Sequence, residues 1–243
     1  KVDIGTGAQI IGRGTEASPG EFSLRAVNDV RAVDKVSFVT GGALSGAGAY
    51  SRIQSSTAAG KGDKATVAIG TGVTLTNPGD ILMSARGTGN VLTKTNVETY
   101  GIATVAVTDT VSKLQPVNLI SIGANSTVTA LGNILVGAGT DTNFNRDQYT
   151  MSARTDSFAG SAIPLDDIDS DATLLQTNRI TVAAGALMQS AQDLKLHAER
   201  FGFGNMDSKA KAVNWASAAA GAINSALGGA EQFGGTITVE ATG

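Results

Sequence analysis

A short motif of alternating apolar and polar residues recurs along this 243-residue chain and limits what it can fold into. The motif reads Val-Asp-Ile-Gly-Thr-Gly at 2–7, Val-Ala-Ile-Gly-Thr-Gly at 67–72, Ile-Ser-Ile-Gly-Ala-Asn at 120–125 and Ile-Thr-Val-Ala-Ala-Gly at 180–185. It begins again as Ile-Thr-Val at 237–239. The steps between its central apolar residues are 65, 53, 60 and 57 residues, and those residues are Ile4, Ile69, Ile122, Val182 and Val239. A repeat of this length predicts units that stack and bury their apolar faces on one another.

A second motif follows the first at a constant distance. Its central apolar residue lies 14 positions downstream in three copies, and six further in the first copy. These residues are Leu24, Met83, Val136 and Leu196. Both motifs alternate apolar and polar side chains, which is typical of half-buried β-strands.

Between the two motifs stands a position that favours a left-handed backbone. Glycine and asparagine tolerate positive φ, and one of them occupies this position in every complete copy. The four residues are Gly7, Gly72, Asn125 and Gly185. Each repeat is therefore predicted to begin as strand, tight corner and strand.

These patterns predict an all-β chain that forms a right-handed parallel β-helix with irregular loops. We expect one continuous segment over 1–243, with imperfect repeats at about 2–64, 65–118, 119–178 and 179–236 and a further one starting at 237–243. Each period is expected to make two or three turns of roughly 20 residues, since solenoid repeats run from about 20 residues upward. The alanine-rich segment 209–230 could instead form a short external helix.

Composition excludes several functional classes. The net charge of −3 disfavours nucleic acid as a partner, and one histidine without cysteine excludes a structural zinc site. The absence of cysteine is compatible with export, and no apolar run is long enough to span a membrane. The chain starts without methionine or a signal peptide, so we expect it to be a piece of a longer protein.

Alternate carboxylates at Asp167, Asp169 and Asp171 form the one candidate metal site. They match the first three ligand positions of a calcium-binding loop, although Ala172 and Asn178 depart from the rest of that pattern. A weak Ca²⁺ site and a solvated acidic loop both remain open, and no other cofactor is expected.

His197 is the only histidine. It occupies the position filled by Arg25, Ser84 and Gly137 in the other copies, which predicts a solvated outer face and no catalytic role. Bulky residues in the variable regions are expected either to cap loops or to form an adhesive face. They are Phe144, Tyr149, Phe158, Phe201, Phe203, Trp215 and Phe233.

The phrase at 69–85, Ile-Gly-Thr-Gly-Val-Thr-Leu-Thr-Asn-Pro-Gly-Asp-Ile-Leu-Met-Ser-Ala, resembles the leukotoxin-like filamentous adhesins related to filamentous haemagglutinin of Gram-negative bacteria. The resemblance implies a secreted, non-enzymatic shaft segment at the bacterial cell surface. It would mediate attachment or form an extracellular fibre. The implied partners are further copies of the chain and other cell or matrix surfaces.

Two other functions remain open at the level of sequence. A polysaccharide lyase or hydrolase on the same architecture would use the acidic cluster at 166–171 with Arg154 and Arg179. A surface-layer or phage-fibre segment would share the predicted fold and differ in its assembly.

Overall fold

A computed structural model describes residues 1–15, 18–55, 62–198, 203–214, 223–228 and 232–241, without the side chains of residues 162, 164 and 166 and of those after 198. The described chain consists of β-strands and contains no helix, so it has none long and apolar enough to cross a bilayer. The strands are β1 (Val2–Ile4), β2 (Gln9–Ile11), β3 (Phe22–Gly41), β4 (Leu44–Gln54), β5 (Lys64–Ile69), β6 (Thr74–Asn77), β7 (Ile81–Leu114), β8 (Val117–Ile122), β9 (Thr127–Ala130), β10 (Ile134–Ala138), β11 (Gln148–Val182), β12 (Leu187–Ser190), β13 (Leu194–Ala198), β14 (Phe203–Asn214), β15 (Ile223–Gly228) and β16 (Gln232–Ala241).

All the pairings between these strands are parallel, and they form two sheets. The larger sheet follows the order β1-β5-β8-β11-β7-β10-β13, with β3 and β4 also on β7 and β14, β15 and β16 also on β11. The smaller sheet has the order β12-β9-β6-β2. Ile4 pairs with Ile69, Ile69 with Ile122, and Ile122 with Val182. Strand partners therefore lie one whole period apart.

The expectation of two or three turns per period is wrong for the described strands. Thr88 pairs with Gln148, for example, and no strand pairs with one about 20 residues away. Each period of about 60 residues thus contributes one wide layer, and successive layers are about 4.8 Å apart along the hydrogen-bonding direction. We call a set of residues that pair in register through successive layers a column.

The last repeat departs from the expected register by two residues. Val239 pairs with Ile180 rather than Val182, and Ala241 takes the place opposite Val182. An apolar residue still meets an apolar residue, because a shift of two keeps each side chain on the same face of a strand.

The helix considered for 209–230 is absent from its described part. Residues 209–214 belong to β14 and pair with Arg154–Ala159, and residues 223–228 form β15 on Leu165–Ser170; residues 215–222 and 229–230 lie outside the described chain. The preference of alanine for helix amounts to less than about 1 kcal/mol per residue. The open edge of β11 offers a full row of backbone hydrogen bonds instead.

The layers divide into two regions, of which the first is the body. It contains the strand–corner–strand units: β1, β2, β5, β6, β8, β9, β10, β12, β13, the starts of β3 and β7 and the end of β11. Its core consists of isoleucine, leucine, valine, methionine and alanine. The corner residues Gly7, Gly72, Asn125 and Gly185 all have positive φ, between 55° and 71°. Leu24, Met83, Val136 and Leu196 form one column.

The second region, the arm, is formed by the remainder of β3, β7 and β11 together with β4. Thr93 and Ser112 both belong to β7, yet their hydroxyl oxygens are 2.8 Å apart. The chain must therefore turn back between them, near Gly101. A first limb (27–41, 86–100 and 148–160) runs outward, and a second limb (44–54, 103–114 and 163–174) returns with its inner side chains against those of the first. We call the turn between the limbs the tip of the arm.

Candidate functional site

A buried carboxylate lies where the arm joins the body. Asp147 stands immediately before β11, and its backbone N–H donates to the carbonyl oxygen of Gly139 at 2.9 Å. Its side chain has no exposed surface. A charged group in such a place costs free energy unless other groups compensate the lost hydration.

Three side chains surround one oxygen of this carboxylate. Oδ2 of Asp147 accepts hydrogen bonds from Nδ2 of Asn118 at 2.7 Å, Nε2 of Gln176 at 2.7 Å and the Tyr149 hydroxyl at 3.3 Å. Asn118 also donates to Oδ1 of Asn178, its register partner, at 2.8 Å. The cluster therefore links two layers as well as the body and the arm.

Two glycines make room for the tyrosine. A Cβ at Gly87 would collide with the Tyr149 hydroxyl, and one at Gly89 would lie 2.7 Å from Cδ1 of Tyr149 and 3.0 Å from Cδ1 of Leu114. The Gly-Thr-Gly stretch at 87–89 is thus shaped to receive the tyrosine of the following layer.

The surroundings raise the pKa of both acids in the cluster. Burial raises the pKa of Asp147 to about 6, although the Gly87 amide, Asn118, Arg86 and Tyr149 act in the opposite direction. Oδ1 of Asp147 has no hydrogen-bond partner of good geometry among the described residues. The Gly87 amide therefore lowers the pKa of Asp147 without forming a good hydrogen bond to it. Burial, with the neighbouring charge of Asp147, also raises the pKa of Tyr149.

An ion pair lies near this cluster, where the structure is more open. Nη1 of Arg86 is 3.5 Å from Oδ2 of Asp141, and Oδ1 of Asp141 accepts from the backbone amides of Asn143 and Asn145. Burial alone would raise the pKa of Asp141. The hydrogen bonds from Asn145 and Asn143 and the charge of Arg86 outweigh burial, so its pKa lies below the usual value.

This arrangement is closed to any substrate. Asp147 and Gln176 are fully buried, and Asn118 and Tyr149 are at most 2% exposed. The geometry can hold a proton and fix the relative placement of the arm and body, but it cannot meet a reactant. Apart from Tyr149, which was expected to cap a loop or to form an adhesive face, the residues of this cluster were not predicted to be functional. The signal that points to them is the recurrence of Asn118 and Asn178, 60 residues apart, at an inward strand position.

The carboxylates considered for calcium lie on a strand rather than in a loop. Asp167, Asp169 and Asp171 occupy alternate positions of β11 on the outer face of the second limb. Alternate residues of a strand are about 6.6 Å apart, whereas a calcium-binding loop curls its ligands around one ion. No group of three acidic, histidine or cysteine residues suited to a metal occurs within the part of the chain that is described. The side chain of Asp166 is outside that part.

His197 does not lie on a freely solvated face. It is half-buried, and its ring packs against that of Phe144 with the ring centroids 4.2 Å apart and the planes inclined by 34°. Ser84, two layers away in the same column, is only 1% exposed. The loop between β10 and β11 covers this face.

Of the bulky residues in the variable regions, Phe144 packs on a neighbouring element, as its contact with His197 shows. Phe201 and Trp215 lie outside the described residues, and the side chains of Phe203 and Phe233 are not described.

The cations and carboxylates considered for polysaccharide cleavage do not converge. Arg154 and Asp169 point away from each other, because their neighbours Thr155 and Ser170 face the interior between the limbs. Arg179 belongs to the body, in register with Leu119. The whole thickness of the arm therefore separates the first two groups.

A shallow groove of about 550 Å³ follows the second corner of the body across the layers. Its walls include the rings of Pro19 and Pro78 and the exposed side chain of Leu131. Oδ1 of Asp80 is already engaged by the amide and side chain of Asn133. The groove therefore combines this apolar surface with backbone and with the polar side chains of Glu21 and Gln192.

Comparison with known proteins finds no match to a family model, to a curated protein or to a solved structure.

Proposed function

We propose that this chain is a structural shaft segment of a secreted filamentous adhesin at the bacterial cell surface, folded as a right-handed parallel β-helix. Its role is mechanical: it holds a distal binding region away from the cell or contributes to an extracellular fibre. The proposal assigns no catalytic residue and no cofactor.

One observation carries the proposal, namely the parallel register that the first four periods share in their strand–corner–strand units. The column of Ile4, Ile69, Ile122 and Val182 passes through four layers, and the backbone hydrogen bonds of the larger sheet run along the same direction. Among the described residues, the strands of the first layer pair with the second layer alone, and an open parallel edge of this kind can accept a further strand. An architecture that extends by adding layers suits a shaft.

The charged residues support this function more than the enzymatic alternative. Arg154 and Asp169 lie on opposite faces of the arm, and the buried Asp147 cannot reach a polysaccharide. A surface-layer or phage-fibre segment would contain the same layers. Electron microscopy of the native source would separate those assemblies from a cell-tethered fibre.

The proposal is tested by making the shaft longer. One or two further tandem copies of 65–178, which span two layers, are inserted into a fusion displayed on bacteria, with a small binding module at the distal end. We expect each copy to lengthen the particle by about 10 Å, since strands stack about 4.8 Å apart. Cryo-electron microscopy would measure the length and the hand of the coil.

The functional measurement is attachment of the displaying cells to a surface coated with the module's target, under shear. Capture should increase with the number of copies at equal surface density. A fusion with a flexible Gly/Ser linker of the same residue count is the control. Particles that do not lengthen, or capture that depends on linker length alone, would refute the proposal.

A further inference from the structure

The two outer faces of the arm carry opposite charges. On the first limb, Lys35, Lys94 and Arg154 form a column, and the backbone of Lys209 continues it by one layer. We call this surface the basic face. On the second limb, Asp109 and Asp169 are register partners, flanked on the same strand face by Asp167 and Asp171. We call that surface the acidic face.

The basic column is not neutralised within the chain. Adjacent members are about 4.8 Å apart, a separation at which like charges repel. Asp156 lies 3.3 Å from Nζ of Lys94 and 3.1 Å from Nε of Arg154, so one carboxylate serves two cations. Lys35 has no ion-pair partner among the described residues.

The acidic face also has an excess of charge. Arg52 binds Asp109, with 2.9 Å between Nη2 and Oδ2. Asp167 and Asp169 have no cation within 4 Å in the described part of the chain. Of the four carboxylates of this face, only Asp109 is paired with a cation in the described part of the chain. The surplus charge is therefore opposite in sign to that of the basic face.

The opposite charges lie at the same distance from the tip of the arm. Oγ1 of Thr155 is 2.7 Å from the carbonyl oxygen of Asp169, so these residues face each other across the interior. Arg154 and Asp169, which project outward at this level, are therefore aligned on opposite sides. A second copy shifted sideways by the thickness of one arm, without rotation, would place its acidic column against the basic column of the first.

The surfaces nearer the tip agree with the same arrangement. Val39 on the basic face is 61% exposed, and Val105 and Leu165 on the acidic face are 43% and 38% exposed. Both faces thus expose apolar side chains near the tip. The basic face also carries Glu98 there, in register with Val39, and its carboxylate accepts a hydrogen bond from the Tyr100 hydroxyl.

Because both faces belong to one stack, their layers repeat at the same interval along the axis. The acidic column is charged in two layers, at Asp109 and Asp169, and Tyr50 takes its place in the first layer.

We propose that the arm is a lateral docking element whose partner is a second copy of this chain in the same orientation, with the basic face of one copy on the acidic face of the next. Such a contact uses two different surfaces and does not close on itself, so it produces open rows of parallel stacks. This inference depends on the two faces alone and not on the adhesin function.

The test is sedimentation velocity of the chain over a series of concentrations at low and high salt. We expect open-ended association at low salt that weakens at high salt, because exposed charges are screened. The basic-face variant Lys94→Gln/Arg154→Gln and the acidic-face variant Asp167→Asn/Asp169→Asn should each remain monomeric. An equimolar mixture of the two should form a discrete dimer, since each variant retains one intact face.

The matched control is Asp193→Asn/Lys195→Gln, which neutralises an exposed ion pair of the body and should associate like the original chain. Circular dichroism of every variant checks that it is folded. A chain that stays monomeric at low salt would overturn the proposal, even if it binds dextran sulfate through the basic face. Association that neither face variant reduces, as expected for end-to-end stacking, would also overturn it, as would a mixture that forms no dimer.

Discussion

The body and the arm share one set of layers but are filled by different chemistry. The body buries isoleucine, leucine and methionine, whereas many inner positions of the arm hold buried threonine and serine. In the arm, Oγ1 of Thr110 lies 2.7 Å from that of Thr95 and 2.7 Å from that of Thr155. Apolar contacts are non-directional, while hydroxyl contacts require one particular register. We infer that the body supplies most of the stability and that the arm fixes the alignment of the layers.

The largest effect is expected in the body. Ile122→Ala removes a side chain that is 1% exposed and lies in a column with Ile69 and Val182. Its loss should lower the free energy of unfolding by about 2–5 kcal/mol, since it leaves a cavity as well as losing buried surface. Urea unfolding followed by circular dichroism measures the change.

The counterpart in the arm is Val97→Ala, at a position with no exposed surface. The loss of stability should be smaller than that of Val136→Ala in the body, where the same atoms are removed from an equally buried position but the surrounding core is larger and apolar. Equal losses at the two positions would show that the regions contribute equally and would contradict the comparison.

The next effect concerns the junction between the regions. The pKa of Asp147 is about 6 in the folded chain and near 3.8 when unfolded, so the folded chain binds more protons between these values. Stability should therefore fall as the pH rises from about 4 to 6, by roughly 3 kcal/mol for a shift of two pKa units. Asp141 has the opposite dependence, because its pKa is lowered and its contribution disappears in acid.

Asp147→Asn isolates the contribution of the buried carboxyl. The difference in unfolding free energy between this variant and the original chain should change between pH 4 and pH 7 and stay level above it. A difference that is independent of pH would mean that folding does not raise the pKa of Asp147. Chemical denaturation at several pH values gives the measurement.

The sequence predicted the body of the molecule but not the arm. The columns of the body were expected because every copy repeats an apolar residue at a strand position, as at Ile4 and Ile69. The arm was not predicted, because the polar inner residues of Thr93–Thr99 and Thr104–Thr110 look like those of a solvated strand. Only the fold-back of β7 buries them. Asp147 was missed for a related reason, since its hydrogen-bond partners lie on β8, on two distant parts of β11 and in the loop after β10.

A smaller effect should follow from disturbing the hydroxyl contacts of the arm. Thr110→Val keeps the shape of the side chain but leaves Thr95 and Thr155 without their common partner, at a cost of about 1–3 kcal/mol. Replacing all three threonines by valine should cost less than the sum of the three single changes, because no hydroxyl is left unpaired. Strict additivity in urea unfolding would indicate that these hydroxyls do not act as a unit.

The smallest effect separates backbone strain at a body corner from side-chain packing. Gly72 has a φ of 65° and open space around a new Cβ, so Gly72→Ala should cost about 1–2 kcal/mol through backbone conformation alone. Gly72→Asn should cost less, since Asn125 occupies the same corner one layer on with a φ of 55°.

The matched position in the arm is Gly48, whose φ is not positive. A Cβ added there would have the Val107 carbonyl oxygen as its nearest neighbour, at 3.9 Å. Gly48→Ala should leave stability unchanged or raise it by about 0.4–1 kcal/mol, because alanine reduces the entropy of the unfolded chain. Thermal unfolding of the three variants should therefore give shifts of different sign in the body and the arm. A loss at Gly48 as large as that at Gly72 would contradict the difference drawn here between a corner glycine with positive φ and a strand glycine.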